Sequence, residues 1–139
     1  MAEREDSVHR MVLIADDDPD FVAQLTRILL NEGYIVVSAA DGPGAVRLME
    51  QYRFRVDLAL IDLLLPQLNG FEVIGLLRRE MPPLKVLAIS QVRPAVLETA
   101  IGVGADAVIQ KPPSGDLLDT EAWLAQVRNR IGPANPKST

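Results

Sequence analysis

The sequence predicts a doubly wound α/β fold: a five-stranded parallel sheet in the order 2-1-3-4-5, with five helices covering its two faces. Three observations carry that prediction. Short, continuous apolar runs alternate five times with segments whose apolar residues recur at helical spacing, the pattern of βα units around a sheet buried on both sides. Gly and Pro stand at the joints between segments, where turns and caps use them. At 139 residues the chain is about one domain's worth, enough to bury a core without staples. Right-handed crossovers then leave few topologies, and 2-1-3-4-5 is the common order for five such strands.

Residues 1–10 (MAEREDSVHR) read as a polar, flexible arm before a folded unit spanning 11–131. Met11 to Ala15 (MVLIA) is the first strand. Asp18 followed by Pro19 opens the first helix, pairing an N-cap acceptor with a first-turn proline. Phe21, Leu25, Ile28 and Leu29 fall on one face of it, and Gly33 stops it. Tyr34 to Val37 is the second strand, and Asp41-Gly42-Pro43-Gly44 turns into a helix carrying Ala45, Leu48, Met49 and Tyr52. Val56 to Ile61 is the third strand, ending at Asp62, and Asn69-Gly70 starts a helix running to about Glu80. Met81-Pro82-Pro83 breaks that helix. Leu84 to Ile89 is the fourth strand, ending at Ser90, and Pro94 to Ile101 a short fourth helix closed by Gly102 and Gly104. Ala107 to Gln110 is the fifth strand, ending at Lys111. The fifth helix runs from about Asp116 to Ile131, with Leu117, Leu124, Val127 and Ile131 on one face and Trp123 partly buried. Residues 132–139 (GPANPKST) read as a flexible tail.

Composition narrows the function. Fourteen Lys and Arg against 19 Asp and Glu give a net charge of −5, which argues against a nucleic-acid surface. Aromatics at 4% are too few for a base-stacking platform. The absence of cysteine excludes disulfides and thiol chemistry, and the single histidine, His9, excludes a multi-histidine metal centre. The start of the chain is no signal peptide, and no apolar run approaches a membrane span. A cytoplasmic protein, away from membranes, is the expectation.

In doubly wound sheets, ligands sit beyond the carboxyl ends of the strands near the reversal of strand order. Asp16, Asp17 and Asp18 follow the first strand, Asp62 the third, Ser90 the fourth and Lys111 the fifth. With Asp18 set aside as the helix cap, three carboxylates, a hydroxyl and an ammonium therefore converge on one rim. Two carboxylates about 4 Å apart repel by roughly 4 kcal/mol at an effective dielectric of about 20, so such a cluster holds either a proton or a cation. Oxygen-only ligands suit Mg²⁺, and Mg²⁺ beside a lysine is equipment for phosphoryl transfer. An ionised aspartate can then be the nucleophile. Each group alone has a blander reading. Asp18 and Asp20 are helix-start carboxylates, and His9 is a solvated side chain in the arm. The sequence Asp16-x-Asp18-x-Asp20 imitates a calcium loop, but Phe21 and Arg27 stand where glycine and glutamate are needed. No Walker loop or GxGxxG is present.

Four segments resemble the receiver domain of two-component response regulators, the flavodoxin-like, CheY-like fold: VLIADDDPDF (12–21), LALIDLLLPQLNGFEVI (58–74), VLAIS (86–90) and GADAVIQKPP (104–113). The resemblance covers roughly residues 10–131. It implies that Asp62 is the phosphoacceptor and that Asp16, Asp17, Asp62 and the backbone carbonyl of Leu64 bind Mg²⁺ or Mn²⁺, with Asp17 the direct ligand of the acidic pair. It further implies that Ser90 is the switch hydroxyl, Lys111 the phosphate-pairing lysine and the peptide before Pro112 cis. Pro66 and Gly70 match the turn after the phosphorylation site. The implied donor is a sensor histidine kinase or a histidine phosphotransfer protein. The implied output is a downstream protein, or a homodimer, docking on the face formed by helix 4, strand 5 and helix 5. The protein would be a switch rather than an enzyme.

The sequence also departs from that family. Val108 stands three before Lys111, where the family has Tyr or Phe, and Gln91 follows the switch serine where the family has a small residue. Leu64 and Val92, both apolar, flank the site and are expected to slow attack by water on the phosphorylated form. These departures keep a second reading open, a receiver-like interaction module that works without phosphorylation. A Mg²⁺-dependent aspartyl-phosphate phosphatase ranks third, because Leu64 occupies the place of a general acid two residues after Asp62. With only a short tail after the fifth helix, the expectation is a stand-alone receiver acting by protein contact, or a piece of a longer protein.

Overall fold

The structure is a computed structural model describing residues 9–91, 93–112 and 119–135. Its strands are β1 (Met11–Ala15), β2 (Ile35–Ala39), β3 (Val56–Asp62), β4 (Lys85–Ser90) and β5 (Ala107–Gln110). The helices among the described residues are α1 (Pro19–Asn31), α2 (Gly42–Tyr52), α3 (Gly70–Glu80), α4 (Arg93–Val103) and α5 (Thr120–Ile131). All strand pairs are parallel and the order is β2-β1-β3-β4-β5, as the sequence predicts. No helix among the described residues is long and apolar enough to cross a membrane.

The pleat sends alternate residues to opposite faces, so the apolar strands build two cores. Val12, Ile14, Leu58, Leu60, Leu87 and Ile89 pack with Phe21, Leu25 and Leu29 of α1 and Trp123, Leu124 and Val127 of α5. Leu13, Ala15, Ala59, Ile61, Val86 and Ala88 pack with residues of α2, α3 and α4, among them Met49, Ile74 and Ala100. Burial on both faces is why these strands read as unbroken apolar runs.

Local chemistry sets the element ends. Asp18 caps α1 by accepting from the Asp20 and Phe21 N–H groups. Asp41 caps α2 through Gly44 N, and Asn69 and Glu72 form a reciprocal capping box on α3. Arg78 on α3 ties two connections together, α3–β4 and α4–β5. Its guanidinium donates to the carbonyls of Gly104, Pro82 and Leu84 at 2.7 to 3.0 Å and pairs with Asp106 at 3.1 Å.

Several details differ from the sequence reading. α4 extends to Val103, because the chain leaves the helix only at Gly104, whose φ of +125° favours glycine. α5 starts at Thr120, not near Asp116, because Asp119 is its N-cap and accepts from Ala122 N; Leu117 lies outside the described residues. Trp123 is buried, at 6% exposure, rather than only partly so, and lies edge-on to Phe21 with ring centroids 5.5 Å apart. The expected tail begins packed: Gly132 and Ala134 accept from the Tyr34 hydroxyl and Arg10 N, both at 2.7 Å. His9 is exposed. The remainder of the arm, residues 1–8, and of the tail, 136–139, lie outside the described residues.

Candidate functional site

The carboxyl ends of β1, β3, β4 and β5 meet at one rim and bring the predicted polar groups together. Asp16, at the end of β1, is buried; its Oδ1 accepts from Asp18 N at 2.9 Å. Lys111 Nζ donates to both carboxylate oxygens of Asp16, at 3.1 and 3.0 Å. Asp62 closes β3 and is 7% exposed; its Oδ1 accepts from Leu64 N at 3.0 Å, and its Oδ2 lies 3.8 Å from Lys111 Nζ. Asp17 is exposed beside them. Carboxylate oxygens of Asp16, Asp17 and Asp62 all lie within 4.8 Å of one another. Ser90, at the end of β4, is buried, and its carbonyl accepts from Lys111 N at 2.9 Å.

Electrostatics explain what this cluster needs. Burial above all, with the Asp16 charge beside it, pushes the Asp62 carboxyl up to about 7, against the opposing pull of the Leu64 N–H and Lys111. Three carboxylates facing one ammonium leave an excess of negative charge on hard oxygen donors. A small divalent cation fits that donor set, and these are the residues that could hold one.

Glycine at position 70 lets the site close. A Cβ there would sit 2.2 Å from the Asp62 carbonyl oxygen and 2.5 Å from Leu63 Cα, so only glycine lets α3 start against the end of β3. In the same connection Gln67 has a φ of +69°, the strained left-handed region that often accompanies functional loops.

Residue by residue, Asp16, Asp17, Asp62 and Lys111 assemble as the strand ends implied. Leu64 is 74% exposed at the mouth of the site, and Val92 lies outside the described residues. Gln91 is exposed, and its carbonyl accepts from the Gln110 side-chain amide at 2.8 Å. Val108 is buried in the core shared with α4, a packing residue rather than a surface aromatic. The Lys111–Pro112 peptide is trans, a correction to the expected cis bond; an X–Pro bond favours one isomer by only about 1 kcal/mol, so local packing decides. Two participants escaped the sequence reading. Asp18, read as a cap alone, also lies 3.9 Å from Lys111 Nζ. Phe21, read as core, lies under Lys111 with its ring centroid 4.6 Å from Nζ. Only its helical spacing was visible in sequence, and that spacing is common to every core residue of α1.

Residues 12–122 match the response regulator receiver domain. The chain belongs to that family. Among curated receivers, it is 35% identical to the response regulator GtcR of Aneurinibacillus migulanus over 103 residues, 74% of this chain and 42% of that protein. It is 31% identical to the DNA-binding response regulator MtrA of Mycolicibacterium smegmatis over 126 residues, 91% of this chain and 52% of that protein. This receiver thus spans about half the length of these curated relatives. Among solved structures, a chain of the CheX–CheY–BeF3–Mg²⁺ complex of Borrelia burgdorferi superposes with a TM-score of 0.78 at 28% identity, covering 86% of this chain and 87% of that one. The receiver's role is that of the two-component systems to which its family belongs.

Proposed function

We propose that Asp62 is the phosphoacceptor of this receiver and that its phosphorylation switches protein contacts. The donor is a phosphohistidine of a sensor kinase or a histidine phosphotransfer protein. An Asp62 carboxylate oxygen attacks phosphorus, the P–N bond breaks and the imidazole leaves, giving an aspartyl phosphate. Asp17, Asp62 and the Leu64 carbonyl would hold Mg²⁺ or Mn²⁺ directly. Asp16, whose oxygens already take Lys111 and Asp18 N–H, would act through water. When bound, the cation supplies charge neutralisation for the transferring oxygens and favours ionised Asp62.

Lys111 swings from Asp16 toward the phosphoryl group and shares its charge. The new group carries about −1.5 to −2 charge units, and the Ser90 hydroxyl donates to one of its oxygens. The rearrangement biases the face formed by α4, β5 and α5 toward its downstream protein or a second copy. The chain turns over only its own phosphoryl group, so it is a switch rather than an enzyme, working in the cytoplasm where kinases supply phosphohistidine.

The observation that supports this reading is the position of Lys111 Nζ, 3.0 Å from Asp16 and 3.8 Å from Asp62 at one strand-end rim. The test is intact mass after incubation with Mg²⁺ and acetyl phosphate. One alkali-labile phosphoryl group is expected, absent without Mg²⁺ and absent in Asp62→Asn. No adduct, even with candidate kinases present, overturns the reading.

A further inference from the structure

A hollow lies at the rim opposite Asp62, under the amino ends of β3 and β4. It encloses about 350 Å³, and its wall includes Phe54, Asp57, Glu80, Met81, Pro82 and Pro83. A second hollow continues it between α2 and α3, sharing Arg53, Glu80 and Met81. Phe54 stands at its edge and is 94% exposed, the most exposed of the large apolar side chains described. Leaving that ring in water forfeits the burial of about 150–250 Å² that an aromatic side chain contributes.

Charge on the two sides of this feature is complementary. Phe54 sits between Arg53 and Arg55, both exposed. Asp57 and Glu80 line the hollow together with Arg53 of the tip itself, and Asp57 also accepts from Met11 N at 2.9 Å, so the lining carries one more acid than base against the two arginines of the tip. Among the described residues, Arg53, Arg55 and Glu80 make no ion pair. The chain therefore carries a basic–aromatic–basic tip and an acid-edged apolar pocket side by side. A two-fold axis relating two copies would set each tip against the other's pocket, the self-complementary arrangement of an isologous interface.

The pocket is also built to receive a side chain. Arg78 holds the carbonyls of Pro82 and Leu84 at 2.7 and 2.8 Å, so its proline wall is fixed before anything binds, which lowers the ordering cost.

We propose that this rim is a homodimer surface, with Phe54 of each copy seated against Met81, Pro82 and Pro83 of the other and the flanking arginines facing Glu80 and Asp57. Two rings and two small pockets fall at or below the low end of about 1,200 Å² buried by specific interfaces. The dimer is accordingly weak and concentration-dependent. Because it uses the rim away from Asp62, it leaves the phosphorylation site open and forms with or without phosphoryl donor.

The test is sedimentation velocity of the full chain from micromolar to millimolar concentration, without Mg²⁺ or phosphodonor. The unmodified chain is expected to pass from monomer to dimer, and Phe54→Ala, which removes an exposed ring, to weaken the dimer at least about tenfold while leaving the thermal transition in place. Glu80→Arg also weakens it, and adding Arg53→Glu and Arg55→Glu to Glu80→Arg restores it. A chain monomeric throughout overturns the proposal and leaves the pocket to a different protein. A dimer that survives Phe54→Ala overturns it in favour of another face, and failure of the charge reversal to restore association overturns the reciprocal seating.

Discussion

Asp62 is the residue at which stability and chemistry oppose each other. Its folded-state value, about 7, lies above the 3.8 of an unhindered carboxyl because burial and the Asp16 charge disfavour ionisation. The folded state therefore binds the proton more tightly than the unfolded state. The stability it contributes is complete below about pH 4 and is lost as pH rises through about 7. In metal-free buffer the chain should lose about 2–3 kcal/mol between about pH 5 and pH 8 from this group. Asp62→Asn should lack that loss, and denaturant melts of the two proteins at both pH values would show it. Equal pH slopes would mean that Asp62 is ionised at little cost. Lys111 makes the complementary case. Its ammonium is the direct partner of the buried Asp16 carboxylate, so Lys111→Ala strands that charge and should cost about 3 kcal/mol. A loss of under about 1 kcal/mol in the same melts would contradict the pairing.

At the scale of elements, the β3–α3 connection has the least room for change. Gly70→Ala drives a methyl group into the Asp62 and Leu63 backbone, so the start of α3 must move away from the acceptor. We expect a loss of at least about 2 kcal/mol together with slower phosphorylation; a variant matching the parent in thermal melts and in acetyl phosphate labelling would show that the loop relaxes freely. α5 reports on the site by a different route. Trp123, the chain's one tryptophan, packs edge-on to Phe21, and Phe21 lies under Lys111. Movement of Lys111 toward a phosphoryl group alters this stack, so Trp123 emission should change on addition of beryllofluoride with Mg²⁺. Phe21→Leu should abolish most of the change without preventing phosphorylation, and an undiminished signal would break the connection. These elements also show what could be read from sequence. Buried parallel strands must be apolar on both faces, so β1, β3 and β4 announced themselves, and the groups just beyond them gave Asp16, Asp17, Asp62, Ser90 and Lys111. The start of α5 was misplaced because acidic residues at 116 and 119 are equally good caps in sequence, and only the Asp119 bond to Ala122 N selects one. Phe21 and Trp123 were hidden because core packing and contact with a site lysine use the same helical spacing.

The whole molecule divides its two rims between tasks. Strand ends at one rim gather Asp16, Asp17, Asp62 and Lys111, while the opposite rim is clamped by Arg78 and carries Phe54. Strain at the first rim is electrostatic, so a cation there should stabilise the entire fold by linkage. At ten times its dissociation constant, Mg²⁺ adds about 1.4 kcal/mol, a rise of about 5 °C in Tm for a domain of this size. Binding must displace the Asp62 proton, so apparent affinity should fall about tenfold for each pH unit below about 7. The two pH effects have opposite signs. Raising the pH destabilises the metal-free chain, yet strengthens Mg²⁺ binding over the same interval and for the same reason. Tm should therefore slope downward with pH when Mg²⁺ is chelated and flatten when it is abundant, with the curves diverging above about pH 6. Asp17→Asn should move the Mg²⁺ curve toward the chelated one and leave the latter nearly unchanged, since Asp17 is exposed. Parallel Tm curves with and without Mg²⁺ would mean that the cluster relieves its charge through the Asp62 proton alone.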